Sequence, residues 1–588
     1  MLSPKTLVSR CSEKLQEKKT ATKRAFSSRQ DFIRALETDE SAYGRESERT
    51  IWKNEDLDLT PPKQWSWGWY DYAAFWWSYG FSVGVWSVGS SMVAMGLHTW
   101  QSIICVFISH LLGAIAIAWH SRIGAKWHCG FPVECRVSWG MYGSFIPVAI
   151  RLLVGQIWAS VLLMQAGYFL SVLFRCVFGS AWHDLPNTLP KSADITTQNL
   201  ICFILFVVCS SPLLLIPPHH MRRIFTIKSI LLPPVAIGLF AFCIVQGRNA
   251  AGSSGTFSTP TKTFGSKSAL AWAMLSAINS CMGKTSTQAV NQTDLARYAR
   301  TAQAPFWSQL IALPIGNTLC ATLGIFATSA TQRAWGGAAI WNPWDLSNEI
   351  LDRHWNAGAR AAIAFASMGW ILSIWASNIG VNLFPFGADV TALAPRLVIM
   401  PWKILKSSTT FLRFLGGYSI FLAPMVGIFI TDYFVVRKGN FWHRDLFDPR
   451  KGTAYRYHGG FSWRTLVAFT ITVVILVPGF AAQFPANAGI AVGWKRIYSL
   501  GWVLGCTISS VLYWALAVGL GKGKFCEKER KMGFEESYLL QEMFEEEPVR
   551  QGEGIGSDAD KAGTTIQGVA VSPEESVPRD RDLEKARS

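Results

Sequence analysis

"YGFSVGVWSVGSS", residues Tyr79–Ser91, lies inside an apolar stretch near 73–97, yet it holds three glycines and four serines. Both residue types are poor helix formers away from caps and turns. In hydrocarbon every backbone N–H and C=O needs a partner, so irregular backbone at membrane depth survives only where it lines a cavity. Transport proteins break helices in this way to turn carbonyls and helix ends toward ions and polar substrates. The stretch therefore reads as a membrane span interrupted at a polar cavity.

The composition around it supports a membrane setting. Of 588 residues, 50% are hydrophobic and only 16% charged, whereas soluble domains carry about a quarter charged residues. Apolar runs recur, among them Leu200–Pro218, Ile227–Val245 and Thr465–Pro478. Such runs of about 20 residues read as transmembrane helices. A soluble enzyme with one core is excluded. The net charge of +16 does not indicate nucleic acid. The basic residues gather in short segments between spans, as in "SRIGAK" (121–126), "HHMRRIFTIK" (219–228) and "RKGNFWHR" (437–444). That is the positive-inside pattern, with anionic lipid headgroups as the partner. The twelve cysteines show no CxxC or zinc spacing and read as buried thiols.

Spans are expected near 73–97, 101–120, 144–174, 198–217, 226–246, 268–290, 307–329, 360–385, 411–436, 463–483 and 497–519. Residues 1–60 read as a cytosolic N-terminal tail. Its basic start faintly resembles a transit peptide, but no apolar signal core precedes the first span. Residues 61–521 form the membrane domain. Residues 522–588 turn acidic and then Gly/Ser-rich, a cytosolic tail expected to be largely disordered. The basic loops place 121–143, 218–228 and 291–306 in the cytosol and 330–359 outside. Eleven spans would leave the basic loop 437–458 outside, against the charge rule. A further membrane segment is therefore expected around 390–406. The apolar piece Leu397–Leu405 is far shorter than the ~20 residues a span needs, so this ninth segment is either re-entrant or cut short by a lost exon fragment.

Two more spans carry polar interruptions. "NSCMGKTSTQAVNQTD" (Asn279–Asp294) contains Gly283, Lys284 and a polar run. "ILSIWASNIGVNLFPF" (Ile371–Phe386) contains Ser373, Ser377, Asn378 and Asn382. An amide such as Asn382 offers donors and an acceptor together. It suits either a planar heterocycle with adjacent N–H and C=O groups or a neighbouring helix. Trp158 could stack on a ring or simply pack. Lys284 sits well inside a span, where a charge is costly unless paired or functional. Glu134, Arg151, Asp389 and Asp432 lie near span ends and read as interfacial.

With these residues, several long motifs in order carry a resemblance. They are "NEDLDLTPP" (54–62), "GAKWHCGFPVECRVSWGMYGS" (124–144), "LPNTLP" (185–190), "IPPHHMRRIFTIK" (216–228), "NQTDLARYAR" (291–300), "FLAPMVGIFITDYFVVRKG" (421–439) and "FSWR" (461–464). From about Asn54 to Gly521 the chain resembles the fungal Fur-type branch of the nucleobase-cation-symport-1 family. The resemblance implies an all-α polytopic membrane protein of about twelve helices, the ninth truncated. Its fold would be LeuT-like, two inverted five-helix repeats plus two helices. It implies a bundle of spans 1, 2, 6 and 7 against a scaffold of spans 3, 4, 8 and 9. Trp158 would stack on the substrate ring and Asn382 would hydrogen-bond it. Lys284, Thr285 and the span-1 backbone at Ser82, Val83 and Gly84 would complete the site. Phe81, Val85, Ser373, Ala376 and Ser377 match the family's sodium site, although fungal members are thought to use protons.

The chain also departs from the family. Leu162 stands where a glutamine is usual, with Gln165 elsewhere on the helix. Thr285 stands where a second aromatic is usual, and "NQTDL" replaces "NIPDF". An amide and an aromatic face are thus expected to be missing. "FSVG" (81–84) and "NQTD" (291–294) are similar to the sister branch that carries thiamine or nicotinamide riboside. The expected function is a secondary active symporter, proton-coupled by preference over sodium, importing uracil, allantoin or uridine across the plasma membrane by alternating access. The alternatives are a vitamin transporter of the sister branch, a non-transporting membrane sensor, and a non-functional paralogue. No enzyme is expected, since the spans hold no HExxH, GxSxG or cluster of His or carboxylates, and no cofactor is expected either.

Overall fold

The computed structural model describes Trp52 and residues 57–210, 221–251, 255–258, 264–383, 408–441, 445–484, 487 and 489–520. Most of both expected tails, the short piece at 390–406 and Asp389 lie outside the described residues. Among those described there is no strand beyond two isolated bridges, Trp67 with Ala299 and His458 with Phe461. Eight helices are long and apolar enough to cross a membrane, and the described cysteines are free thiols.

The first expected span is two helices, α1 (Trp69–Gly80) and α2 (Val83–Ala94). Then follow α3 (Thr99–Trp127), α4 (Phe131–Trp139), α5 (Phe145–Phe178), α6 (Thr197–Ser210) and α7 (Met221–Ala251). After them come α8 (Lys267–Val290), the short α9 (Gln292–Ala296), α10 (Ala304–Trp335), α11 (Pro343–Arg353) and α12 (Ala357–Asn378). The chain ends with α13 (Ser408–Ile430), α14 (Trp463–Ala481), α15 (Val492–Ser499) and α16 (Gly501–Trp514). Wide π-turns at Ile379–Leu383 and Thr431–Val436 extend α12 and α13.

One group of helices centres on α10, which packs on α1, α2 and α3, while α3 also packs on α8. A second centres on α5, packed on α12 and α6. In lipid, helices hold together through close van der Waals contact, so small residues mark their interfaces. Gly80 is such a point. A Cβ there would stand 2.7 Å from the Gly316 carbonyl carbon and 2.9 Å from the Asn317 nitrogen. Any larger residue would push α1 off α10 just where the first span breaks.

The sixth span departs from expectation. α8 runs unbroken through Gly283, and the chain leaves the helix only at Asn291. Gly283 serves contact instead. A Cβ there would overlap the Leu415 carbonyl on α13, and Tyr418 of α13 donates its hydroxyl to the Gly283 carbonyl at 2.8 Å. One glycine costs a helix only about 1 kcal/mol, too little to break it when both flanks are well packed.

α12 begins beside the end of α5, where Arg360 donates to the Cys176 carbonyl. It ends beside mid-α5, where Asn378 donates to the Ala159 carbonyl. α13 begins against Trp341 through Phe411, beside α11, and continues to Arg437, which donates to the Val137 carbonyl on α4. The two helices therefore run in the same direction. The further crossing expected between them falls in 384–407, outside the described residues.

Candidate functional site

The break between α1 and α2 is two residues wide. Phe81 has φ −80° and ψ 78°, and Ser82 is extended at φ −140° and ψ 153°. α2 therefore begins inside the protein, and while Val85 and Trp86 donate to the Ser82 carbonyl, the N–H groups of Val83 and Gly84 have no carbonyl one turn back within the helix. A small, partly open cavity lies there. Its walls are Tyr79 and Ser82–Gly84 at the break, Trp158 and Leu162 on α5, Lys284 and Gln288 on α8, and Ile374, Ser377 and Asn382 at the end of α12. Six of the seven expected substrate residues meet here: Ser82, Val83, Gly84, Trp158, Lys284 and Asn382.

The pairs Trp158/Leu162 and Lys284/Gln288 are four apart, so each shares one helix face. Thr285 is one residue on from Lys284 and is turned away by about 100°. It is buried against α3, and a Cβ on Gly113 would stand 2.9 Å from its methyl carbon. Thr285 does not line the cavity.

Trp158 and Asn382 are braced from behind. Trp158 donates its indole N–H to the Tyr418 hydroxyl at 3.1 Å, and Tyr418 passes the link on to the Gly283 carbonyl. Asn382 donates its amide to Asn378 at 3.0 Å, while none of the described residues donates to its carbonyl oxygen. Gln288 keeps its carbonyl oxygen buried without a hydrogen-bond partner. The Lys284 ammonium lies 4.1 Å from the centroid of the Tyr79 ring.

The residues matched to a sodium site also come together, with an addition. Ser373 donates its hydroxyl to the Phe81 carbonyl at 3.2 Å. Lys228 of α7, fully buried, donates its ammonium to the Ser377 hydroxyl at 2.7 Å. Val85 and Ala376 are buried on the same helices but do not line the cavity.

A family model described as permease for cytosine/purines, uracil, thiamine, allantoin matches residues 60–505. The chain belongs to this permease family. It is 30% identical to the uracil permease of Saccharomyces cerevisiae over 526 residues, covering 85% of this chain and 82% of that protein. It is also 30% identical to the allantoin permease of the same yeast, covering 78% and 74%. The thiamine transporter of that yeast is 27% identical, covering 79% of each. Among solved structures the chain is similar to Mhp1, a nucleobase-cation-symport-1 family transporter in a closed conformation with bromovinylhydantoin bound. The TM-score is 0.62 at 17% identity, over 83% of this chain and 99% of that one. The fold is thus LeuT-like, and the protein is a multi-pass membrane permease, not an enzyme.

In this permease one end of the helices is closed by the chain before α1. Trp65 stacks on His128 at 3.7 Å, and the Thr60 N–H donates to the His128 carbonyl at 2.9 Å. Arg297, which follows α9, donates to the Asp58 carbonyl at 3.2 Å. His128 lies beyond the end of α3, and its pKa falls to about 4, mainly through burial. It therefore stays neutral and keeps its stacking partner. Buried behind this end, the Glu134 carboxylate accepts from His120 at 2.7 Å. Glu134 is thus a buried partner of α3 and not the interfacial group expected. Asp432 is likewise buried, and accepts from Arg437 at 2.7 Å and from Tyr513 at 2.6 Å.

Sequence reasoning missed three residues at the site. Lys228 belongs by sequence to the basic segment 219–228, yet it lies about two helical turns inside α7. Gln288 restores an amide to the cavity from α8, opposite Leu162. Tyr79 restores an aromatic ring beside the break. The signal for Gln288 was its spacing of four from Lys284. For Lys228 the only signal was an apolar run starting just before it.

Proposed function

We propose that this permease is a proton-coupled importer of a planar heterocycle of the uracil, allantoin or uridine kind. It acts at the plasma membrane with both termini cytosolic. The substrate ring stacks on Trp158, and Asn382 and Gln288 accept hydrogen bonds from ring N–H groups. Ser82, Val83, Gly84 and Lys284 hold the rest of the ring, while Thr285 packs behind them. That the chain is 30% identical to uracil and allantoin permeases over most of both lengths supports the substrate class. Thiamine and nicotinamide riboside are cations, and an ammonium in the cavity wall repels them. This favours the nucleobase branch over the vitamin branch.

The coupling reading rests on the bond from Lys228 to Ser377. A sodium ion needs several oxygen lone pairs turned toward it. Here the Ser373 hydroxyl hydrogen points to the Phe81 carbonyl, and the Ser377 oxygen accepts from the Lys228 ammonium. The donor set does not fit sodium. The Lys228 ammonium does the ion's work by joining α7 to α12 beside the break. Its proton enters with substrate from outside and leaves when the opposite end opens. A ligand drives such rocking only through its different affinities for the two states.

The test is uptake of labelled uracil by cells lacking their own carriers, with surface level checked through a tag. Acid pH should stimulate uptake and sodium should not. Lys228→Met should abolish the acid stimulation while substrate exchange persists. Stimulation that survives in Lys228→Met, or a sodium requirement in the wild type, would overturn the coupling reading. Binding without uptake would favour a sensor.

A further inference from the structure

We infer that the preferred substrate of this site carries an anionic carboxylate on its heterocyclic ring and that Lys284 binds that carboxylate. The inference deepens the import reading above and rests on it. Lys284 is 4% exposed and lines the cavity. Among the described residues no acceptor hydrogen-bonds to its ammonium, which has only the Tyr79 ring face at 4.1 Å. A ring quadrupole compensates a buried charge only in part, and an ionised amine at membrane depth calls for a counter-charge.

The cavity wall supplies none. None of the described lining residues is Asp or Glu. A second ammonium, Lys228, is bound to the lining hydroxyl of Ser377. The α2 N-terminus adds positive potential from another direction. Its first turn holds no acidic residue and Ser82 makes no side-chain cap bond, so Val83 and Gly84 present the helix end to the cavity. Helix N-termini of this kind favour anions. Gly84 is needed for the convergence. A Cβ there would stand 3.3 Å from the Lys284 Cε, tight enough to push the lysine off the helix end.

Two other groups of the wall, Gln288 one turn along α8 and Asn382 at the end of α12, ask for N–H donors. Gln288 offers a buried carbonyl oxygen without a partner, and the Asn382 carbonyl accepts from none of the described residues. A planar ring with one or two N–H groups along one edge and a carboxylate at the other satisfies every group named. Uracil-6-carboxylate and imidazole carboxylates belong to this class, whereas uracil alone leaves Lys284 without a counter-charge.

The experiment compares each carboxylate with its neutral parent in carrier-null cells expressing the tagged chain. Labelled uracil and uracil-6-carboxylate are taken up alone and in mutual competition, with imidazole-4-carboxylate and imidazole as a second pair. The wild type should prefer at least one carboxylate by tenfold or more. Lys284→Asn should cut that preference at least tenfold, and Lys284→Arg should retain most of it. The readout is the ratio of two ligands on one protein, so a lower surface level cannot imitate it. Binding to the purified protein, followed by thermal shift, gives the same ratio if uptake fails. A wild type that prefers neither carboxylate, or a Lys284→Asn variant with the ratio unchanged, would overturn the inference. Failure of proton coupling shows separately, as loss of acid stimulation.

Discussion

Trp158 shows how one side chain is prepared for a ligand. Its indole N–H is already committed to Tyr418, so the ring is fixed in orientation and only its face remains to offer. Stacking of a base on an aromatic ring is worth about 1–3 kcal/mol, or roughly 5- to 150-fold in affinity. Trp158→Ala should weaken uracil uptake within that range, seen as a raised KM at an unchanged surface level. Trp158→Phe should recover part of the loss, because it keeps a ring but drops the bond to Tyr418. At this scale the sequence was partly legible. Trp158, Asn382 and Lys284 stood out because polar or bulky groups inside a span must be accounted for. Thr285 was placed at the cavity by motif position, whereas helix geometry turns it toward Gly113. Gln288 was passed over because an amide near a span end looks solvated until the helix is seen to bury it.

At the scale of elements, packing overrode local propensity. The glycine-rich break of the first span was readable because three glycines and four serines act together on thirteen residues. The single Gly283 was not enough, and α8 stays whole against α13. Charge also acts through an element at α11, which lies between α10 and α12 outside the spanning helices. Asp345 in its first turn accepts from Asn342 at 3.0 Å, and its pKa is pushed up to about 6, chiefly by burial, with the amide opposing. An unfolded aspartate titrates near 3.9. The folded helix therefore holds a proton that the unpacked segment has lost. Its contribution is fully present below about pH 4 and is lost as pH rises through 6. Hydrogen exchange of residues 343–353 should show protection falling between pH 4 and 6.5. In Asp345→Asn, which stays neutral, the protection should be flat across that window. A wild-type profile without this slope would show that the carboxyl is solvated and α11 already loose.

At the scale of the whole molecule, composition made the membrane class legible, and the basic loops pointed to an orientation. What it hid was which loops meet. Lys126 at the end of α3 donates to the Gly439 carbonyl at 3.1 Å, and Arg437 reaches Val137, so the basic loop after α13 lies at the same end as 121–143. Arg297 and the residues before α1 close that same end. At the other end Arg175 of α5 pairs with Asp352 of α11. One end thus collects the basic loops, and the proposed orientation puts it in the cytosol, as the positive-inside rule expects. Epitope tags inserted at two exposed glycine turns test the assignment. Gly336 and Gly337 follow α10, and Gly452 lies in the basic loop. Both turns take positive φ, and a Cβ at any of the three would meet nothing within 4 Å, so insertion should disturb little. In intact cells an antibody should reach a tag after Gly337 and should reach one after Gly452 only once the membrane is permeabilised. The reverse pattern would invert the molecule and turn the proposed importer into an exporter. Labelling of both tags in intact cells would place the two loops on one side. α13 would then fail to cross the membrane between Phe411, beside Trp341, and Arg437, beside Val137, and the layout of the ninth and tenth spans would have to be redrawn.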